Sequence, residues 1–387
     1  MNGGIVILGA TGTVGRQTLD VAARQDMPIV ALGAGSNEVA LYRLCLEHHP
    51  RYAALHDVAA AQRLECAVRD AGLATRVLAG REGLCALAAL PEAACVMAGI
   101  VGAAGLLPTL EAIRAGKRVL VANKEVLVMA GSLLMAEAST HGAELIPIDS
   151  EHNAVFQCLA AGRVGLEYIA LTASGGAVRD IPLHQLPFIT PAQACRHPNW
   201  TMGRKISVDS ATMVNKGLEV IEACILFDVA AHKVQVVLHP ESIVHGLVGF
   251  VDGSVLAQLA HPDMRIPIAQ ALAFPGRAPS GASLLDAQRM GTLHFEAVDP
   301  ARYPALSLCL SAAAQGGSAP LVLSAANEVA VEAFLMGRLP FTGIAAVLEA
   351  VMGRAGHHSA PHGVDDLLAL DELARGEARV VLSRFAA

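Results

Sequence analysis

Over roughly the first 148 residues, short apolar runs alternate with longer Ala-rich stretches whose apolar positions recur every three or four residues. The runs Ile5–Leu8, Ile29–Leu32, Tyr52–Leu55, Val77–Leu78, Cys95–Ala98, Arg118–Val121 and Leu145–Ile148 read as strands, and the stretches between them as helices. Such alternation predicts an α/β domain over 1–148, a doubly wound parallel sheet with helices on both faces. From 149 to 273 the pattern changes. Polar loops, an amphipathic helix near 214–226 and β-rich runs at 234–238, 243–251 and 254–259 predict a central α+β unit. Residues 274–302, which include Pro275, Gly276, Pro279, Ser280 and Gly281, show no clear period and read as a linker. Beyond them, apolar periodicity at about 305–315, 324–337, 342–355 and 364–384 predicts a small helical bundle over 303–387.

Composition narrows the function classes. Of 387 residues, 53% are hydrophobic and 16% charged, which leaves ample material for large buried cores. A net charge of -7 with scattered Lys and Arg provides no broad basic field, so no nucleic-acid partner is expected. Residues 93–110 are uncharged and long enough to raise the question of a membrane span. Gly99, Gly102, Gly105 and Pro108 interrupt them, and a strand, a glycine loop and a helix start fit better. No membrane partner is expected. Cysteines 45, 66, 85, 95, 158, 195, 224 and 309 form no closely spaced pairs of the kind metal or redox motifs use, and free thiols in a reducing cytosol are expected. The N-terminus carries no basic segment ahead of its apolar run, which also points to the cytoplasm.

Gly9, Thr11, Gly12, Thr13, Val14 and Gly15 directly follow the first strand and open a helix, so this loop is placed to cradle a pyrophosphate on backbone amides, as in a Rossmann-like domain. The second strand ends at Gly35, Ser36 and Asn37 with no acid to grip ribose hydroxyls, which favours NADP over NAD. No Arg or Lys stands beside Ser36, and Glu38 opposes a 2′-phosphate. Asn123, Lys124 and Glu125 sit at the carboxyl end of the sheet, where such folds bind ligands. Asp149 and Glu151 follow a strand at i and i+2. If extended geometry persists, both carboxylates face one side, and Glu219 completes an oxygen-only set that suits Mg2+ or Mn2+. Solvated or capping acids are the competing reading. Ser174 with Gly175 and Gly176 offers backbone amides to an anion, and Ser210, Asn215 and Lys216 add side-chain donors near the next helix N-terminus. The only tryptophan, Trp200, lies in an aperiodic loop after His197, a candidate lid near 195–204; a packed structural loop is the alternative.

The segments Gly9–Gly15, Asn123–Glu125, Asp149–Asn153, Cys195–Gly203, Arg204–Glu219, His239–His245, Pro262–Pro267 and Ala325–Glu328 resemble the 1-deoxy-D-xylulose 5-phosphate reductoisomerase family, in order and over nearly the whole chain. The resemblance implies a homodimer that uses NADPH and Mg2+ or Mn2+. It also implies conversion of a phosphorylated sugar, 1-deoxy-D-xylulose 5-phosphate, to 2-C-methyl-D-erythritol 4-phosphate in non-mevalonate isoprenoid synthesis. By matching position, it implies Asp149, Glu151 and Glu219 as metal ligands. Lys124, Ser150, Ser174, His197, Ser210, Asn215 and Lys216 are implied as substrate contacts, and Trp200 and Met202 as flap residues. Cofactor contacts are implied at Thr11, Gly12, Thr13, Val14, Gly35, Ser36, Asn37, Asn123, Glu125 and Gly203. Ser36 stands where some members carry Lys, and Val178 replaces an expected aromatic. Two rival readings remain at this stage: a semialdehyde dehydrogenase with Cys195 as nucleophile and His197 as base, and a redox-sensing NADP-binding regulator.

Overall fold

All seven apolar runs of the N-terminal region are strands in the computed structural model, which describes residues 3–160, 162–200, 202–355 and 361–384. Thr201, inside the expected flap, lies outside the described residues, as do 1–2, 356–360 and 385–387 of the terminal domains. The strands are β1 (Gly4–Leu8), β2 (Ile29–Ala34), β3 (Tyr52–Leu55), β4 (Arg76–Ala79), β5 (Ala93–Ala98), β6 (Arg118–Val121) and β7 (Glu144–Pro147). They form a parallel sheet in the order β4-β3-β2-β1-β5-β6-β7. Val6 lies between Ala31 and Val96, so the order reverses at β1. Ile5, Val6 and Ile7 are buried, as expected of central strands covered on both faces, and this is why the runs are continuously apolar.

By contacts the chain divides into two units. The first comprises Met1–Val126, Ser132–Asn153 and Asp263–Ser283; the second comprises Leu127–Gly131, Ala154–Pro262 and Leu284–Ala387. In the first unit the late segment is anchored at several points. The helix Arg265–Ala273 packs on the helix Thr13–Arg24, with Arg265 3.4 Å from Asp20. Gln270 accepts a hydrogen bond of 2.8 Å from Asn153, and the Phe274 carbonyl accepts one of 2.8 Å from Arg118.

The second unit holds β8 (Leu166–Ala173), β9 (Val234–Leu238), β10 (Val244–Phe250), β11 (Val255–Leu259) and β12 (Glu296–Ala297), in the order β11-β10-β8-β9-β12. Only β8 and β9 run parallel. Ile169, Leu171, Val234 and Val248 from the sheet pack with Val155, Val220, Ala223 and Phe227. β12 pairs with β9, so the aperiodic stretch 274–302 contributes a strand to the sheet. Four further helices, Pro304–Gln315, Ala319–Leu335, Gly343–Ala355 and Val364–Leu382, follow as expected. The second of them begins before 324, because Pro320 is tolerated in a first turn. The helix Val214–Phe227 approaches Pro304–Gln315 so closely that a Cβ at Gly217 would stand 2.2 Å from Cys309 Cβ. Among the described residues no helix is long and apolar enough to cross a membrane.

Candidate active site

In the first unit, the turn after β1 is built from positions where only glycine fits. Gly9 has φ +84, and a Cβ there would lie 2.4 Å from the Gly99 carbonyl oxygen; a Cβ at Gly15 would lie 2.3 Å from the Gly9 oxygen. Gly12 is the N-cap of the helix Thr13–Arg24 and provides no side-chain cap, so the first amides of that helix point outward from an exposed turn flanked by Thr11 and Val14. Gly35, Ser36 and Asn37, at the end of β2, are exposed, and Asn37 caps the following helix by accepting from the Ala40 amide at 3.0 Å. Arg63 reaches the same corner from the helix Val58–Asp70 and donates to Glu38 at 2.9 Å. A guanidinium therefore offsets the acid beside Ser36 and holds its carboxyl below the usual range. The sequence offers no local signal for this, because Arg63 belongs to another helix.

Asn123 caps the helix Lys124–His141 through its oxygen, accepting from the Val126 amide at 3.3 Å. Its amide nitrogen donates to the carbonyls of Ile100 and Gly102, the latter at 2.9 Å. This fastens the loop after β5 to the end of β6, next to the buried Glu125. Lys124, one residue on, forms an ion pair with Asp149. The extended geometry expected at Asp149 and Glu151 does not occur. β7 ends at Pro147 and the helix Ser150–Leu159 starts at once, with the Asp149 carbonyl accepting from the Asn153 amide at 2.9 Å. The first helical turn brings carboxylate oxygens of Asp149 and Glu151 within 4.8 Å of each other, and Ser150 donates to Glu151. Acids tolerate such proximity at a helix N-terminus because the dipole there is positive.

In the second unit, Ser210, Asn215, Lys216 and Glu219 lie on two helices. Arg204–Thr212 ends at Met213, whose φ of +63 turns the chain into Val214–Phe227. Ser210 thus stands in the last turn of the first helix, three residues before the N-cap of the second, whose first turn holds Asn215 and Lys216. Glu219, 1% exposed, pairs with Lys216 and also accepts from Asn215. Gly176, at φ +65, brings the Ser174 turn against this pair of helices: a Cβ there would sit 2.7 Å from the Ser210 carbonyl oxygen. Tyr303 donates to the Gly175 carbonyl at 2.8 Å and Arg302 to that of Val178 at 3.0 Å, which holds the turn from behind. Val178 is itself buried.

His197 joins the Ser174 turn to the aperiodic loop. Its Nδ1 accepts from the amides of Asn199, at 3.2 Å, and Trp200, at 2.9 Å, so the proton of the neutral ring is on Nε2, which donates to Ser174 Oγ at 2.8 Å. Burial pushes its pKa down to about 4. Both ring nitrogens are engaged, so His197 is not available as a base to Cys195, whose sulfur lies 3.8 Å from the Arg204 carbonyl oxygen. The dehydrogenase reading loses its catalytic pair. The Trp200 ring meets His245 edge to face at 6.1 Å, and the loop closes at Met202 and Gly203, the exposed N-cap of Arg204–Thr212. Asp209, missed at the sequence level, is buried between Lys205 at 2.9 Å and Asn327 at 2.8 Å.

Family profiles match in three consecutive segments: 1-deoxy-D-xylulose 5-phosphate reductoisomerase over 5–131, its C-terminal domain over 145–227, and the DXP reductoisomerase C-terminal domain over 259–377. The chain is 54% identical to 1-deoxy-D-xylulose 5-phosphate reductoisomerase of Ectopseudomonas mendocina, over 98% of each chain. It is also 54% identical to the protein of that name from Acidithiobacillus ferrooxidans, over 99% of this chain and 98% of the other. A solved DOX-P reductoisomerase in complex with NADPH, fosmidomycin and magnesium is 43% identical, with a TM-score of 0.95 over 98% of each chain. The Zymomonas mobilis enzyme in complex with NADPH is 40% identical, with a TM-score of 0.91 over 99% of each chain. The chain belongs to the 1-deoxy-D-xylulose 5-phosphate reductoisomerase family.

Proposed function

We propose that the protein isomerises and reduces 1-deoxy-D-xylulose 5-phosphate to 2-C-methyl-D-erythritol 4-phosphate, with NADPH and Mg2+ or Mn2+, in non-mevalonate isoprenoid synthesis. The observation that carries this reading is family membership along nearly the full chain. The domain roles proposed are 1–148 for NADPH, 149–273 for metal and substrate with a flap near 195–204, 274–302 as linker and 303–387 as helical support.

Asp149, Glu151 and Glu219 are the proposed metal ligands. They supply carboxylate oxygens alone, which suits a hard divalent cation, and Lys124 pairs with Asp149 while Lys216 pairs with Glu219. The dinucleotide fits the uncapped helix start at Gly12–Thr13, with Thr11, Val14, Gly35, Ser36, Asn37, Asn123, Glu125 and Gly203 as further contacts. Ser174, His197, Ser210, Asn215 and Lys216 are assigned to the substrate phosphate, and Lys124 and Ser150 to its reacting end. When bound, the cation supplies Lewis acidity toward the ketone and neighbouring hydroxyl, and NADPH supplies the hydride. The neutral Nε2–H of His197 orients Ser174, and Trp200 on the flap excludes water from the rearranging fragments. Holding the remote phosphate keeps the flap closed during the reaction.

The proposed assembly is a homodimer in the cytoplasm, supported by the exposed apolar residues Val255 and Leu256 on the edge strand β11. Purified protein is expected to oxidise NADPH with 1-deoxy-D-xylulose 5-phosphate and Mg2+, and to stop on addition of a chelator. Metal-saturated protein that leaves NADPH untouched would overturn the reading.

A further inference from the structure

Asn199 does something that its place beside the tryptophan does not explain. Its amide nitrogen donates to the Pro240 carbonyl and to Ser242 Oγ, both at 2.7 Å, across more than forty residues of sequence. The acceptor loop is preformed. His239, fully buried at the end of β9, accepts from the amides of Ile243 and Val244, both at 3.1 Å, and its other nitrogen donates to the His294 carbonyl at 2.8 Å. Phe295 stacks on the same ring at 4.7 Å. Ser242 adopts φ +52, a conformation side chains rarely take, and this turns its hydroxyl toward Asn199.

We propose that Asn199 is a positioning residue, a latch that docks the flap on the Pro240–Ser242 loop and so sets how tightly substrate is held, with His239 keeping the dock in shape. The latch rests on the functional reading above and deepens it. His197 and Asn199, two residues apart, tie the first half of the loop to two different segments: His197 secures it to Ser174, and Asn199 to the segment between β9 and β10. Trp200, between these two attachments and the region's exit, is placed on His245 as a result. Without Asn199, the loop keeps one anchor and loses the one that fixes its distance from β10.

Trp200 is the single tryptophan, so intrinsic emission reports on the flap alone. The experiment measures acrylamide quenching of full-length protein, with and without fosmidomycin and Mg2+, and the fosmidomycin dissociation constant, for wild type, Asn199→Ala, Ser242→Gly and the double variant. Glycine at 242 keeps the backbone conformation and removes the hydroxyl. Asn199→Ala is expected to expose Trp200 to quencher, to weaken fosmidomycin ~10-fold and to raise KM by a similar factor more than it lowers kcat, as loss of two hydrogen bonds implies. Ser242→Gly should give a smaller change of the same sign, and the double variant should lie within about twofold of Asn199→Ala, since one bond is shared. NADPH affinity should stay within about twofold throughout. Wild-type quenching and affinity in Asn199→Ala, additive losses in the double variant, or equal loss of NADPH binding would each overturn the latch. Quenching needs no turnover: if wild type fails to oxidise NADPH while Asn199→Ala still frees Trp200, the functional reading falls and the latch stands.

Discussion

The proposed metal role is most sharply exposed to test at Glu219, buried and paired with Lys216 and Asn215. Glu219→Gln keeps the volume and removes the charge, and it should cost at least about 100-fold in metal-dependent turnover while leaving NADPH affinity within about twofold. Turnover assays beside NADPH titrations check this, and retained activity would remove Glu219 from the metal set. His197 makes a pH prediction. Its folded pKa of about 4 is below the ordinary value of 6.5, so the folded state binds fewer protons than the unfolded state between these limits. The stability of the loop it anchors should therefore be full above about pH 6.5 and fall as pH drops toward 4, seen as rising Trp200 quenching that His197→Asn shifts. With Ser36 as a proposed cofactor contact, Arg63→Ala should weaken NADPH by ~5-fold and NADH hardly at all, because only the former carries a 2′-phosphate for the guanidinium to meet. The roles of the acids 149, 151 and 219 are the proposal made above, whereas the glycine turn after β1 was legible in sequence, since Gly9 and Gly15 fill positions that admit no side chain. Arg63, Asn199 and Asp209 were not, because each acts through a partner on a distant segment.

Elements were read well where burial on both faces imposes continuous apolar runs, as in β1, β2 and β5, and less well where the surface is mixed. The helix Arg204–Thr212 has only Ile206, Val208 and Ala211 as apolar positions, and its polar motif residues hide the period; it then breaks at a left-handed Met213 that no turn residue announces. The same polarity concealed the helix that places Glu151 beside Asp149, and hence the correction from extended to helical geometry. One helix contact is close enough to test. Gly217→Ala drives a methyl into Cys309 and should cost about 2 kcal/mol, lowering Tm by about 4–8 °C in calorimetry. Cys309→Gly should recover part of that loss in the double variant, which a purely local helix effect would not allow.

At the scale of the molecule, sequence order and spatial grouping diverge. The pattern of apolar runs marks boundaries where the period changes, and such a change gives no sign that Asp263–Ser283 rejoins the N-terminal sheet through Arg265, Gln270 and Phe274. That return has a consequence for synthesis. A nascent N-terminal sheet emerges from the ribosome with the flank of Thr13–Arg24 uncovered, and it must wait for a helix encoded far downstream while the intervening domain is being made. Stalled chains released before Arg265 should be cut by protease within that sheet, and chains extended past Ser283 should resist, so the dinucleotide fold matures only after most of the message has been translated.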